Sequence, residues 1–447
     1  MKSKIEALLI LLIFLIFLIK LYNVHPTFSD ENIYFSMGKS VSQGKLPYTG
    51  FDFVHPPFQL YILAFLFKLF GSSLLAAKTL SIIASSLSAY LVFLISKKLF
   101  NEKIALLSSV FFLIDPSFLA FSDQGYGIWE PLCLFLLSTY LILKDKINLS
   151  ALVFASSLFF RYIAVIYLPF LIILMILEKK KIRKFIFAFL IAFSFIFSIM
   201  LLAFSFNFIE DTIIFQVLSK TFYTLTPKLY YQYLYIGFFT MFLALTSAIL
   251  SYKKDKTIFL FSVYPLILNL LILLSLKFIA YHYFLFSVPL VMIAASKTFL
   301  AHKDKAIRIF IALIIFLSIF SNYTTIDFYQ NPRYSEKYYF IADYIKNNTS
   351  KNDNIFGDSS IAYYISFTED VSVTSTHLKS FLSYEVYLKE EDVIENLERE
   401  RPKFIVDLEG TYISNAYFRE YIQNKYELKK TVDDFPKYFV YERKVSL

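Results

Sequence analysis

Long uninterrupted apolar runs constrain this chain more than any other feature. They are roughly 17–25 residues each, the length an α-helix needs to cross a bilayer core of about 30 Å. The first is Ile5 to Tyr22, and others follow at short intervals. Hydrophobic residues make up 57% of the 447, with a mean hydropathy of +0.58, against about 45–50% apolar in soluble domains. The excess stops near residue 322, where charged residues become frequent and no long apolar run survives. The expected organisation is a membrane domain over 1–321 and a soluble α/β domain over 322–447, a tail long enough to bury a core of its own.

Eleven spans are expected, at about 5–23, 74–98, 103–121, 131–144, 148–160, 162–177, 183–206, 230–252, 257–276, 280–299 and 305–321. The pair 148–160 and 162–177 is short and broken at Arg161. The run 58–70 is also too short to cross, and reads as an interfacial or re-entrant helix. The loop charges set the orientation. With Lys2 and Lys4 in the cytoplasm, every expected inner loop is basic: Lys97 and Lys98, Lys144 and Lys146, Lys179 to Lys181, Lys253 and Lys254, and Lys303 and Lys305. That is what the positive-inside rule requires. It puts the N-terminus inside, and the connections 24–57 and 207–229 outside with the C-terminal domain.

The net charge of +9 is therefore a topology signal, and nucleic acid is not expected as a partner. Cys133 is the single cysteine, so an intramolecular disulfide is excluded. The basic start before Ile5 resembles a secretory leader, but its apolar run is too long and no small-residue cleavage pattern follows. It reads as a retained first helix.

The first outer connection is far longer than a helix link needs, and long loops in compact proteins are usually functional. It holds an acidic pair, Asp30 and Glu31, then Tyr34, Lys39, Lys45, Tyr48, Asp52 and His55-Pro56-Pro57. Two readings of the pair stand. The carboxylates activate the hydroxyl of an acceptor, or Asp30 merely caps a short helix, since Ser29-Asp30-Glu31 is a good helix start.

The segment from Asp30 to Ile83 resembles the first outer loop and second span of the dolichyl-phosphate-mannose protein mannosyltransferase superfamily. These are GT-C glycosyltransferases, and the lipid A aminoarabinose transferases belong with them. The resemblance is carried by Asp30, Glu31 and Tyr34, then Gly44-Lys45-Leu46-Pro47-Tyr48, then His55-Pro56-Pro57 and Phe70-Gly71, in that order. It continues in the Arg161 region with Pro169, and in the aromatic segment Tyr281-His282-Tyr283 ahead of Pro289. The tail resembles the family only in architecture.

The resemblance implies a GT-C-like polytopic fold and a polyprenyl-phosphate-linked sugar donor. It implies inverting transfer to a protein, lipid or glycan acceptor, in contact with membrane lipid. Asp30 would be the general base and Glu31 its helper. Tyr34, Lys45, Tyr48, His55, Asp123 and Glu130 would line the acceptor side or cavity. A lipid-phosphate leaving group calls for cations, and Arg161, His282 and Lys277 are the candidates. Arg161 interrupts a long apolar stretch, and ionisable residues within membranes are costly and usually functional. The plainer readings are an ion pair of Arg161 with Asp115, a Lys277 snorkelling to the interface, and a His282 in an aromatic belt.

The five histidines show no paired spacing on one helix, so no metal is expected, though some GT-C enzymes use a divalent ion. In the tail, strands are expected near 354–357, 371–374, 403–408 and 436–443, and helices near 333–348, 359–366, 385–400 and 415–425. No G-x-G-x-x-G fingerprint occurs there, and the tail is expected to position an acceptor. The rival to an enzyme is a flippase for lipid-linked sugars or a polysaccharide transporter, but the internal repeats typical of transporters are not visible.

Overall fold

A computed structural model describes residues 4–27, 29–215, 227–275, 281–350, 353–369, 371–374, 390–408, 416–433 and 437–444. The chain divides into two compact units. The first comprises Met1–Asn23, Lys78–Ala203 and Thr224–Gln330; the second comprises Val24–Ala77, Phe204–Tyr223 and Asn331–Leu447.

The apolar runs fold as helices. In the amino-terminal half these are α1 (Lys4–Tyr22), α2 (Glu31–Ser42), α3 (Phe58–Phe70), α4 (Leu74–Leu99), α5 (Glu102–Leu113), α6 (Pro116–Phe121), α7 (Trp129–Leu143), α8 (Ile147–Leu158), α9 (Leu168–Leu177) and α10 (Ile182–Phe204). Three of them, α1, α4 and α10, are long and apolar enough to cross a membrane, and the bent pair Lys305–Ser321 and Tyr323–Gln330 would make a fourth. The expected spans 230–252 and 257–276 are helices Pro227–Ser251 and Lys256–Ser275, of 25 and 20 residues, while 131–144, 148–160, 162–177 and 280–299 are shorter apolar helices, which at about 1.5 Å per residue fall short of a bilayer core.

The shortening has local causes. The run expected at 103–121 is cut at Asp115-Pro116. Pro116 cannot continue the incoming helix, and Asp115 turns extended to cap the next one, its Oδ1 accepting from Ser117 N at 2.8 Å. The run 148–177 breaks at Arg161, whose backbone is extended (φ −152°, ψ 122°), and restarts as a 3₁₀ turn, Tyr162–Tyr167. Run 58–70, expected to be too short for a span, is helix α3 with those bounds.

Within the first unit, α1 and α10 leave 6% and 11% of their apolar windows buried, against 61% for α4. Apolar exposure on that scale is what lipid contact requires. The inner helices are joined by hydroxyl contacts as well as by packing. Ser109 donates to the Ala89 carbonyl at 2.8 Å, and the Ser138 and Ser150 hydroxyls meet at 2.8 Å. Small polar residues at such crossings let helices approach closely.

The second unit is built on a five-stranded sheet in the order β2-β1-β3-β5-β4. The strands are β1 (Asn354–Gly357), β2 (Ser372–Val373), β3 (Phe404–Leu408), β4 (Tyr426–Val432) and β5 (Tyr438–Arg443). β1 runs parallel to β2 and β3, and β5 runs antiparallel to β3 and β4. Side-chain alternation gives the sheet two apolar faces. Ile355, Phe404 and Val406 pack with Ile341, Ile345, Ile361 and Ile365, while Phe356 and Ile405 pack with Val393, Leu397, Phe418 and Ile422. Helices therefore cover both faces, as in an α/β layer.

β4 was not anticipated from the sequence. Its pattern Tyr-Glu-Leu-Lys-Lys-Thr-Val buries only the two end residues, and a register shift lies between Leu428 and Lys430. It is an edge strand whose lysines and irregular register deter pairing with another chain, and those features erase the period-two signal.

α2 crosses α3 at Gly38, where a Cβ would lie 2.8 Å from Leu63 Cβ. Gly357 ends β1 at φ +144°, and a Cβ there would fall 2.0 Å from the Val406 carbonyl oxygen. We expect Gly357→Ala to destabilise the sheet domain by about 2 kcal/mol or more, read as a lower melting temperature and faster proteolysis of the domain in the purified chain. Unchanged melting would mean that this backbone can relax.

Candidate functional site

The acidic pair opens α2, and the two carboxylates sit in opposite environments. Asp30 occupies the N-cap position with helical angles (φ −65°, ψ −8°), makes no side-chain capping bond, and is exposed. Glu31 is fully buried. Its Oε1 accepts from Thr27 Oγ1 at 2.6 Å, and the Thr27 and Ser29 hydroxyls are 2.9 Å apart. The helix start read from Ser29-Asp30-Glu31 is therefore real, but the Asp30 carboxylate is not spent on closing it. Both carboxylates lie at the positive end of the helix dipole.

α2 is held lengthwise by the helix Ser359–Glu369. Asn32 Nδ2 donates to the Ser360 carbonyl at 3.0 Å, Ser36 Oγ to Ser366 Oγ at 3.0 Å, and Lys39 Nζ to the Phe367 carbonyl at 2.6 Å. Both numbering series rise together, so the helices run parallel and their N-termini lie side by side. The second N-terminus carries an acid of its own. Asp358 follows the Gly357 turn, is buried, and accepts from Ser360 N at 3.1 Å. Burial raises its pKa to about 7, opposed by the backbone N–H groups it caps and helped by the charges of Asp30 and Asp407. Asp358 was not singled out in the sequence. The missing signal was its pairing with a helix start more than three hundred residues away.

The other expected residues of the first outer loop are chiefly packing groups. Tyr34 lies against the rings of Phe53 (6.1 Å) and His55 (6.0 Å). Tyr48, at φ +68°, donates from its hydroxyl to the His55 carbonyl at 2.6 Å and packs on Phe204 and Phe208. Lys45 is exposed and lines a cavity described below.

In the first unit Arg161 is buried and donates through its guanidinium to the carbonyls of Tyr126 and Gly127. The His282 ring stacks on Tyr126, with centroids 4.5 Å apart and planes 20° from parallel. Glu130, at the start of α7, accepts from Ser81 Oγ at 3.2 Å, and the Arg161 charge reaches both Glu130 and His282. Arg161, His282, Tyr126 and Glu130 thus form one cluster. Asp115, the structural partner considered for Arg161, instead accepts from Ser117 N and from Thr240 Oγ1. Lys277 lies outside the described residues.

Asp123 lies in a different arrangement. It pairs with Lys20 at 3.5 Å and Lys78 at 3.9 Å, and accepts from Gln330 Nε2 at 2.8 Å. Lys78 is fully buried in α4 and was missed in the sequence, although a lysine inside an apolar span is itself a signal. Among the described residues no group of three or more His, Cys, Asp or Glu is placed to hold a metal ion.

Helices long and apolar enough to cross a membrane, with an α/β sheet domain, define the class: a helical membrane protein carrying a small sheet domain. The comparisons agree with that class. Residues 54–204 match the family model described as dolichyl-phosphate-mannose-protein mannosyltransferase. The match takes in His55-Pro56-Pro57 and Arg161, and begins after Asp30.

The fold is similar to that of ArnT from Cupriavidus metallidurans bound to undecaprenyl phosphate, with a TM-score of 0.69 at 10% identity over 97% of both chains. The apo state of the same protein gives 0.67 at 10% identity, again over 97% of each chain. An Archaeoglobus fulgidus oligosaccharyltransferase gives 0.48 at 14% identity, over 98% of this chain and 73% of that one. No curated protein matches by sequence. The family match takes in residues 54–204, and the likeness to ArnT is one of fold.

Asp358 yields a pH prediction. An unfolded aspartate ionises near 3.8 and Asp358 near 7, so between those values the folded chain keeps a proton that the unfolded chain has lost. The stability this group contributes is therefore full below about pH 4 and is lost as pH rises through about 7. Asp358→Asn keeps a capping oxygen but cannot ionise. Its melting temperature relative to wild type should rise between about pH 5 and pH 8, and a flat difference would mean the carboxyl is ionised throughout.

Proposed function

We propose that the chain transfers a sugar from a polyprenyl-phosphate donor to an acceptor hydroxyl at the outer face of the membrane, with inversion at the anomeric carbon. The observation that carries this reading is the contrast between the two acids that open α2. Glu31 is buried and bonded to Thr27, whereas Asp30 is exposed. Asp30 is thus the group able to meet a substrate. The undecaprenyl phosphate bound by the similarly folded ArnT supports a polyprenyl-phosphate donor.

In the proposed step the acceptor hydroxyl oxygen attacks the anomeric carbon from the face opposite the phosphate. Asp30 takes the hydroxyl proton as the new glycosidic bond forms. The bond from the anomeric carbon to the phosphate oxygen breaks, and its electron pair leaves on the lipid phosphate. Glu31, fixed by Thr27 and Ser29, holds the start of α2 and so the position of Asp30. In the first unit, Arg161 and the neighbouring His282 are the candidates to contact a donor phosphate; a guanidinium suits this because its planar donors bind phosphate oxygens in pairs. With Lys2 and Lys4 inside, the acidic loop and the sheet domain lie outside, where a lipid-linked sugar is presented.

Loss of a general base costs typically 10²–10⁴-fold in rate. With a panel of polyprenyl-phosphate sugars in membranes, Asp30→Asn should lower transfer by about that factor at unchanged expression and melting temperature. Equal transfer by the two proteins would remove Asp30 from the mechanism. Arg161→Met should lower transfer as well, while leaving transfer-independent binding of acceptor intact.

A further inference from the structure

A cavity of about 420 Å³ lies wholly within the second unit, walled by the C-terminal half of α2, the loop 45–52, the helix Ser359–Glu369 and the edge strand β2. Its volume is in the range of small-ligand sites. It is displaced along α2 from Asp30: Gln43 follows Asp30 by thirteen residues, about 20 Å of helix. Nothing in the mechanism above uses it.

The chemistry of the walls is specific. Five of the fifteen lining residues are serine or threonine, and they include Ser36, which is buried and bonded to Ser366. Thr374 is 6% exposed, and its Oγ1 has no hydrogen-bond partner among the described residues. Leaving a buried hydroxyl unmatched is costly, and a ligand hydroxyl would offset that cost. Gln43 adds an amide, with both donors and an acceptor. The charged groups are Lys39, already bonded to the Phe367 carbonyl, with Lys45 and Asp52, so no strong field of one sign is present. Phe51 and Tyr363 also line it.

A wall of hydroxyls and an amide, with little net charge and two aromatic rings, fits an uncharged polyhydroxylated ring. A strongly anionic or a purely apolar ligand fits it poorly. An extended peptide would need the sheet edge as a template. β2 is only two residues long, shorter than the strands that pair in this way.

We propose that this cavity binds a saccharide unit of the acceptor, so that the acceptor is a glycan extended along α2 from the Asp30 end. The assignment of acceptor rests on the transfer reading above; the binding of saccharide does not.

The test uses the full chain in lipid nanodiscs and a panel of neutral di- to tetrasaccharides, with binding followed by saturation-transfer NMR. Wild type and Asp30→Asn should bind the same saccharides equally. Gln43→Ala and Asp52→Asn, both at accessible positions and both checked for an unchanged melting temperature, should bind at least tenfold more weakly. They should also raise KM for a glycan acceptor by a similar factor. The proposal is overturned if no neutral saccharide binds wild type, if both variants bind as wild type does, or if serine- and threonine-containing peptides bind in the saccharides' place. Saccharide binding without any sugar transfer by wild type would leave the cavity assigned and overturn the transfer reading instead.

Discussion

The acidic helix of this protein depends on a contact made across more than three hundred residues of sequence. Lys39 reaches from α2 to the Phe367 carbonyl, the carbonyl of Ser360 receives Asn32, and the two helices lie parallel. A 12-residue helix is marginal by itself in water, and α2 gains its permanence from burial on both sides. Gly38 admits Leu63 and Phe67 of α3, while Phe35 meets the Phe367 ring of the supporting helix. The position of Asp30 is consequently a property of the sheet domain as much as of the loop that contains it.

The parallel arrangement has an electrostatic side. Two helix N-termini set together concentrate partial positive charge, and the chain places Asp30 and Glu31 on one and Asp358 on the other. Carboxylates are the groups such a place stabilises, yet burial works against ionisation at Asp358. Glu31 is buried and accepts from the Thr27 hydroxyl, and Asp30 is exposed. Three acids at one locus thus have three different environments, and a difference of environment is what separates a reacting group from a supporting one.

Much of this was legible in the sequence. The apolar runs marked the helices because the bilayer thickness sets their length, and Phe58–Phe70 was readable as a helix too short to span. Strands β1, β2, β3 and β5 were visible from their apolar patches between turns. Asp30, Glu31, Arg161 and His282 stood out because charge is rare in such surroundings. What stayed hidden was non-local. A broken helix at Asp115-Pro116 still reads as one hydropathy peak. The Lys20–Asp123–Lys78 arrangement joins three separate segments. That Tyr34, Tyr48 and His55 pack on Phe53 and on one another is also not visible in a loop sequence.

The second unit is stitched from stretches 24–77, 204–223 and 331–447, and this bears on how the protein is made. The acidic loop leaves the ribosome early, and the helix that supports it is translated some three hundred residues later. Until then α2 has only its neighbour α3 to lean on. Closing so long a loop is slow, because the chain must be ordered before the contact repays the entropy. The nascent protein thus carries its acids without the scaffold that aims them. Those carboxylates reach their final surroundings only when the sheet domain has folded around them, late in the synthesis of the chain.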